Sequence, residues 1–326
     1  MRTIDQNVAL MSKVARLYYQ HGLAHHEVAD MLGLSRVKVT RLLAEARKTG
    51  IVEITVHGDE HLFVELETKL VELYGLKRTW VGPSFNDARA DTSLGALGAQ
   101  AVSSLLPDAK TVAVGFSESI GNALSQMPQT QHSEIDFVPA TGTPAGLAHT
   151  GSGLRLTMGF ADTVGGRSYH VAAPLLASTP TAAAVLRSED MVRQVLELAA
   201  HADLLIAGMG AMGADSRMLI DSLTAADLKK IQLNGGVGDL CARFFDHNGR
   251  STTSPTDDKI IGLTLAQMAA IPTRLVIARG TGKVAALLGA MRGGLINALV
   301  TDTTTAQDLV EAADEPEPTL ERTGSG

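Results

Sequence analysis

Val8, Met11, Val14, Ala15, Leu17 and Tyr18 recur at the three- and four-residue spacing of an amphipathic helix, and the pattern ends at His21-Gly22. Gly22 suits the left-handed position that follows a helix. A second, shorter helix is predicted from about Ala24 to Leu32, with Val28, Ala29, Met31 and Leu32 inward. Gly33 supplies a tight turn, and Ser35 is placed to cap a third helix from Arg36 to about Lys48. Val39, Leu42, Leu43 and Ala46 form its buried stripe; Arg36, Lys38, Thr40, Arg41 and Arg47 face outward. After Thr49-Gly50 the period shortens to two. Ile51-Val52-Glu53-Ile54-Thr55-Val56, with His57-Gly58 behind it, reads as a strand and as the wing of a winged helix. Helical spacing returns from Asp59 to Tyr74, where Leu66, Leu70 and Leu73 share a face and Gly75 ends the run. That helix is either a connector or a seam between subunits.

The rest alternates short apolar runs with helical stretches. Strands are predicted at Thr79–Val81, Thr111–Val114, Ile135–Pro139, Tyr169–Val171, Asp203–Ala207, Arg274–Ala278 and Leu299–Asp302. Helices are predicted at Asp91–Leu106, from about Ile120, at Thr181–Leu198 and after Lys283. This is α/β architecture with a mainly parallel sheet, whose ligands bind at the carboxyl ends of strands. The expected organisation is 1–57 winged helix-turn-helix, 58–76 linker helix, 77–312 ligand-binding domain and 313–326 disordered tail.

Composition narrows the possibilities. Of 326 residues 45% are hydrophobic and 19% charged, enough for a sizeable core and too little charge for disorder. One cysteine, Cys241, excludes a disulfide framework and a cysteine-rich zinc site. No signal peptide or membrane span is visible, so a cytoplasmic protein is expected. Net charge is -7, but unevenly spread: residues 1–57 hold eight Lys and Arg against five Asp and Glu, while the remainder holds 20 against 30. Five of the eight head cations fall within Arg36–Lys48. A basic head on an acidic body points to nucleic acid at one end.

Two short helices joined at Gly33 project the third from the surface, in the manner of a recognition helix in the major groove. Ser35, Arg36, Lys38, Thr40, Arg41 and Arg47 are the candidate DNA contacts. The competing reading is a three-helix docking module, which does not need Ser-Arg-x-Lys-x-Thr-Arg on its leading face. His21, His25, His26 and His57 have no partners at ligand spacing and are expected at the surface, holding no metal.

Three motifs in the body nearly match. Gly208-Met209-Gly210-Ala211-Met212-Gly213 fits a dinucleotide fingerprint but lacks the acidic residue ~20 positions on. Ile277–Val284 ends in Gly282-Lys283 like a Walker A loop but fails at both ends, and Gly115–Ser119 lacks the last glycine of a nucleophile elbow. No nucleotide cofactor is expected. What these turns offer is amides, hydroxyls and Lys283, which suit a phosphate or a polyol, with Asp239 accepting from hydroxyls. Alternatively the glycines only let helices pack on strands.

The sequence resembles the SorC family of sugar-responsive bacterial transcription regulators. The resemblance rests on Val14–Tyr19, Leu32–Arg36, Arg41–Arg47, Gly50–Ile54, Gly236-Val237-Gly238-Asp239 with Phe245-Asp246, and Lys283 with Arg292-Gly293-Gly294 and Thr301-Asp302. It spans about residues 8 to 310. It implies a DNA-binding head, an effector domain folded like sugar-phosphate isomerases and deaminases, a homo-oligomer, operator DNA as partner and a phosphorylated sugar or related polyol as effector. The implied effector residues are Gly115, Ser117, Ser119, Thr141, Gly142, Thr143, Asp239 and Lys283. The alternative function is a sugar-phosphate isomerase or deaminase with an accessory head, Asp239 acting as base with help from Asp162 or His170. An NAD-sensing repressor is the third reading.

Overall fold

The computed structural model describes residues 2–52, 60–131, 134–144, 153–212, 223–252 and 256–314. Two compact units divide the chain, Met1–Asp59 and Glu60–Gly326.

In the first unit, α1 (Arg2–Ala15) runs into one π-helical turn, Arg16–Gln20, where the His21 N–H donates to the Arg16 carbonyl at 3.2 Å. The helix expected as regular up to His21 therefore widens over its last turn. Helix α2 (His25–Leu32) begins at Ala24, which has no side-chain acceptor. Glu27 compensates by accepting from the Ala24 N–H at 2.7 Å. Gly33 ends α2 with φ 62, a left-handed conformation that costs any residue bearing a Cβ. Helix α3 (Arg36–Lys48) starts where expected, with the Lys38 N–H donating to Ser35 Oγ at 3.2 Å. Met11, Val14, Val28, Val39, Leu42, Leu43 and Ala46 close the core of the three helices. Met31, expected inward, is instead exposed.

Ile51 and Val52 do not begin a strand. They form a bend, because the Val52 N–H turns back to the Ala46 carbonyl at 3.0 Å and both side chains pack against the helical core. Glu53–Val56 and His57, the rest of the expected wing, lie outside the described residues.

The second unit begins with α4 (Glu60–Tyr74). It continues through β1 (Arg78–Gly82), α5 (Arg89–Leu105), β2 (Thr111–Val114), α6 (Glu118–Leu124) and β3 (Asp136–Pro139). Next come α7 (Gly153–Val164), β4 (Arg167–Ser168), α8 (Pro180–Ser188), α9 (Asp190–Ala200), β5 (Leu204–Ala207) and β6 (Gly210–Ala211). Then follow α10 (Ala225–Leu233), β7 (Gly236–Leu240), β8 (Arg243–Asp246), α11 (Leu265–Ala270), β9 (Thr273–Ile277), α12 (Val284–Arg292), β10 (Ala298–Asp302) and α13 (Thr303–Asp314). Seven strands form one parallel sheet in the order β1-β10-β9-β5-β2-β3-β4.

Period-two alternation divides each central strand between two cores. Val112, Val114, Phe137, Leu204, Ile206, Leu275, Ile277 and Val300 face the layer containing α5, α6 and α7. Ala113, Val138, Leu205, Val276 and Leu299 face the layer of α4, α9, α12 and α13. Both faces being covered, the strands read as continuous apolar runs. Helix α4 is part of this unit: Leu66 and Leu70 are buried in the second core, and the Tyr74 hydroxyl donates to the Leu309 carbonyl.

Several boundaries differ from expectation. Tyr169–Val171 is not a strand; β4 stops at Ser168, and only the Tyr169 N–H still reaches β3, at the Phe137 carbonyl. The single helix expected over Thr181–Leu198 is two, because Glu189 leaves helical conformation at ψ 131. Helix α13 carries through Ala313-Asp314, into the expected tail, and 315–326 lie outside the described residues. A small antiparallel sheet, β6-β7-β8, was not anticipated.

Candidate functional site

In the first unit, α3 presents Arg36, Lys38, Thr40, Arg41 and Arg47 to solvent, as does Ser35 ahead of it. Two of these six are also used internally. Ser35 is the cap of α3, and the Thr40 hydroxyl donates to the Arg36 carbonyl at 3.1 Å. The other four, Arg36, Lys38, Arg41 and Arg47, are exposed cations. His21 and His26 are exposed, while His25 is half-buried against the Tyr18 ring, with centroids 4.9 Å apart.

In the second unit, the direction of chain progression reverses between β2 and β5. From β2 the chain steps to β3 on one side, and from β5 to β9 on the other. Such a reversal opens a crevice at the carboxyl ends of the two strands. The turns that follow them meet there. The Gly115 N–H donates to the Ile206 carbonyl at 2.8 Å. Ser117 caps α6, its Oγ accepting from the Ser119 N–H at 3.0 Å. A Cβ on Gly208 would stand 2.5 Å from Ser117 Oγ. After β9 the chain reaches the same place, where Lys283 Nζ donates to the Met209 carbonyl.

The β7–β8 hairpin brings in Asp239. A Cβ on Gly210 would fall 1.8 Å from Asp239 Oδ1, so only glycine lets β6 lie against this carboxylate. Asp239 Oδ2 accepts from the Ala242 N–H at 3.1 Å across the turn. Burial pushes the Asp239 carboxyl up to about 6, against the opposing pull of the Ala242 N–H and Lys283. The turn residues Cys241 and Ala242 both have positive φ, 49 and 70. This backbone is usual for Asn-Gly in a two-residue hairpin and strained for Cys-Ala. Burial and the neighbouring Asp239 push the Cys241 thiol up to about 12, so it stays protonated and unreactive at neutral pH.

Ser117, Lys283 and Asp239 therefore meet successive residues of Gly208-Met209-Gly210, Gly115 lies against Cys241 of the hairpin turn, and Ser119 is tied to this group through its bond to Ser117. Thr141-Gly142-Thr143 follows the adjacent β3 on the same edge but is tied into other backbone. The Gly142 and Thr143 N–H groups each donate at 2.9 Å, to the Ile261 and Ala173 carbonyls, and the Thr141 hydroxyl donates to the Gly142 carbonyl. The amides of Gly115, Gly142, Thr143 and Ser119 are thus engaged within the fold. Gly208-Met209-Gly210 runs into β6 instead of a helix, so it lacks the strand-turn-helix geometry of a dinucleotide loop. Asp162 and His170 are exposed.

The sequence reading missed the Met209 carbonyl and the hairpin turn. The runs Gly236–Leu240 and Arg243–Asp246 do stand two residues apart, the hairpin spacing, but Cys-Ala between them concealed it. Buried Arg243 was also missed. Its guanidinium donates to the Asp257, Ile260, Gly262 and Leu263 carbonyls and so fastens that segment to the hairpin.

Comparison with known proteins converges on one family. Residues 61–311 match the family model described as "Putative sugar-binding domain". The transcriptional regulator LsrR of Escherichia coli is 34% identical over 307 residues, covering 93% of this chain and 94% of that protein. LsrR of an Enterobacter species is 30% identical over 310 residues, at 93% of each chain. The crystal structure of the full-length sorbitol operon regulator SorC from Klebsiella pneumoniae superposes with a TM-score of 0.74 at 26% identity, covering 94% of this chain and 99% of that one. With a family model matching most of its length and transcriptional regulators rather than enzymes as its relatives, this chain belongs to the SorC family of sugar-responsive transcriptional regulators.

Proposed function

We propose that α3 enters the major groove of operator DNA through Arg36, Lys38, Arg41 and Arg47, and that a phosphorylated sugar or related polyol binds between the β2 and β5 turns. The observation that carries the effector reading is that Ser117, Lys283 and the buried Asp239 meet the successive residues Gly208, Met209 and Gly210 that follow β5. A lysine ammonium supplies charge for an anionic group, and a carboxylate beside hydroxyls suits a polyol. Ligand binding would shift the population between DNA-competent and incompetent arrangements of a homo-oligomer in the cytoplasm. A thermal-shift panel of sugars, polyols and their phosphates tests the site. At least one compound should raise the melting temperature of the wild type, and Lys283→Ala should abolish the rise for its phosphorylated form. An equal rise in Lys283→Ala contradicts the assignment.

A further inference from the structure

Helix α3 carries one side chain that neither its core nor its charge explains. Val37 is 79% exposed, more than any other large hydrophobic residue among those described. At 3.6 residues per turn it stands opposite the buried stripe of Val39, Leu42, Leu43 and Ala46, one turn before Arg41 on the same line. Arg36 and Lys38 flank it in sequence, and both are exposed. The hydroxyls nearest to it are engaged, Ser35 as the helix cap and Thr40 with the Arg36 carbonyl. An apolar tip at the centre of a cationic, exposed helix face suits the floor of a major groove. The one apolar group displayed there is the thymine C5-methyl.

We propose that Val37 is a specificity-determining residue that packs against a thymine methyl in the operator. The inference rests on α3 entering the major groove, and it adds a base preference that the cations alone do not supply. Flanking cations hold the helix on phosphates, and the branched side chain then excludes water from one methyl.

The test uses the full-length protein and duplexes that it selects from a random pool at low salt. Each thymine of a selected site is replaced in turn by deoxyuridine, which removes only the methyl. One position per half-site should lose about three- to fivefold in affinity, as expected for one buried methyl-sized group. Val37→Ser should bind thymine and uracil duplexes equally at that position, with an unchanged melting curve. If the penalty persists in Val37→Ser, or no position is sensitive, the inference is overturned while the groove reading stands. If Val37→Ser changes self-association and leaves the uracil penalty intact, Val37 joins copies of the chain and the inference is again overturned. If no duplex is selected at all, the groove reading itself fails.

Discussion

Asp239 sits where a charged carboxylate is disfavoured. Its carboxyl is buried, bonded to the N–H of Ala242 in a strained turn, and titrates near 6 instead of 3.8. The folded chain thus holds this proton more tightly than the unfolded chain. Its contribution to stability is fully present below pH 3.8 and is lost as pH rises through about 6. Asp239→Asn keeps an acceptor for Ala242 and removes the charge. It should flatten the decline in melting temperature across that window and raise stability at pH 7, by a few kcal/mol at most (~1.4 kcal/mol for each pKa unit). Melting curves from pH 4 to 8 check this, and an unchanged decline in the Asn variant contradicts it. An ionised Asp239 is also the better acceptor for sugar hydroxyls. On the proposed effector reading, this is a reason to keep an arrangement that costs stability at neutral pH.

At the scale of elements, α3 was the most legible part of the chain. Its four-residue stripe and Ser35 cap mark both ends, and the structure begins and ends it at Arg36 and Lys48. Central strands were legible because burial on both faces makes them uninterrupted apolar runs. Elements whose form depends on tertiary partners were not. The bend at Ile51-Val52 is set by the Ala46 carbonyl and a helical core, neither of which local alternation reports. The β7–β8 hairpin turns through two residues that have no intrinsic preference for positive φ. The site was partly legible for the same reason. Lys283 and the Gly115–Ser119 turn stand out as chemistry after strands and Asp239 as a carboxylate in a glycine run, whereas the engagement of the Gly142 and Thr143 amides emerges only from packing. Ser35 allows cap and contact to be separated. Ser35→Ala should cost about 1 kcal/mol of first-unit stability through the lost cap. Ser35→Asp caps equally well but places a carboxylate where phosphates are expected, so stability should hold while DNA affinity drops. Ser35→Asn serves as the neutral control. Chemical denaturation and duplex titrations read the two effects apart, and full DNA affinity in Ser35→Asp would contradict the placement of this helix end against DNA.

On the scale of the whole molecule, charge and fold divide the labour. The head holds a net +3 over residues 1–57 and the remainder a net -10, so of the two segments the head is the one whose net charge favours a polyanion. The second unit carries a doubly covered parallel sheet, at whose switch point the effector site is proposed. A regulator needs these two sites to be linked: by reciprocity, an effector that changes DNA affinity must itself bind DNA-bound and free protein with different affinity. The most direct measurement is the affinity of the full-length protein for the duplex upstream of its own gene, taken across a salt series, with and without a sugar phosphate identified by thermal shift. The account predicts tight binding that weakens steeply with salt, a shallower slope by about 1 for each phosphate-contacting cation removed, and a change in affinity when the effector is added. Absence of binding at low salt, or an effector that binds the protein yet leaves DNA affinity unmoved, would contradict it.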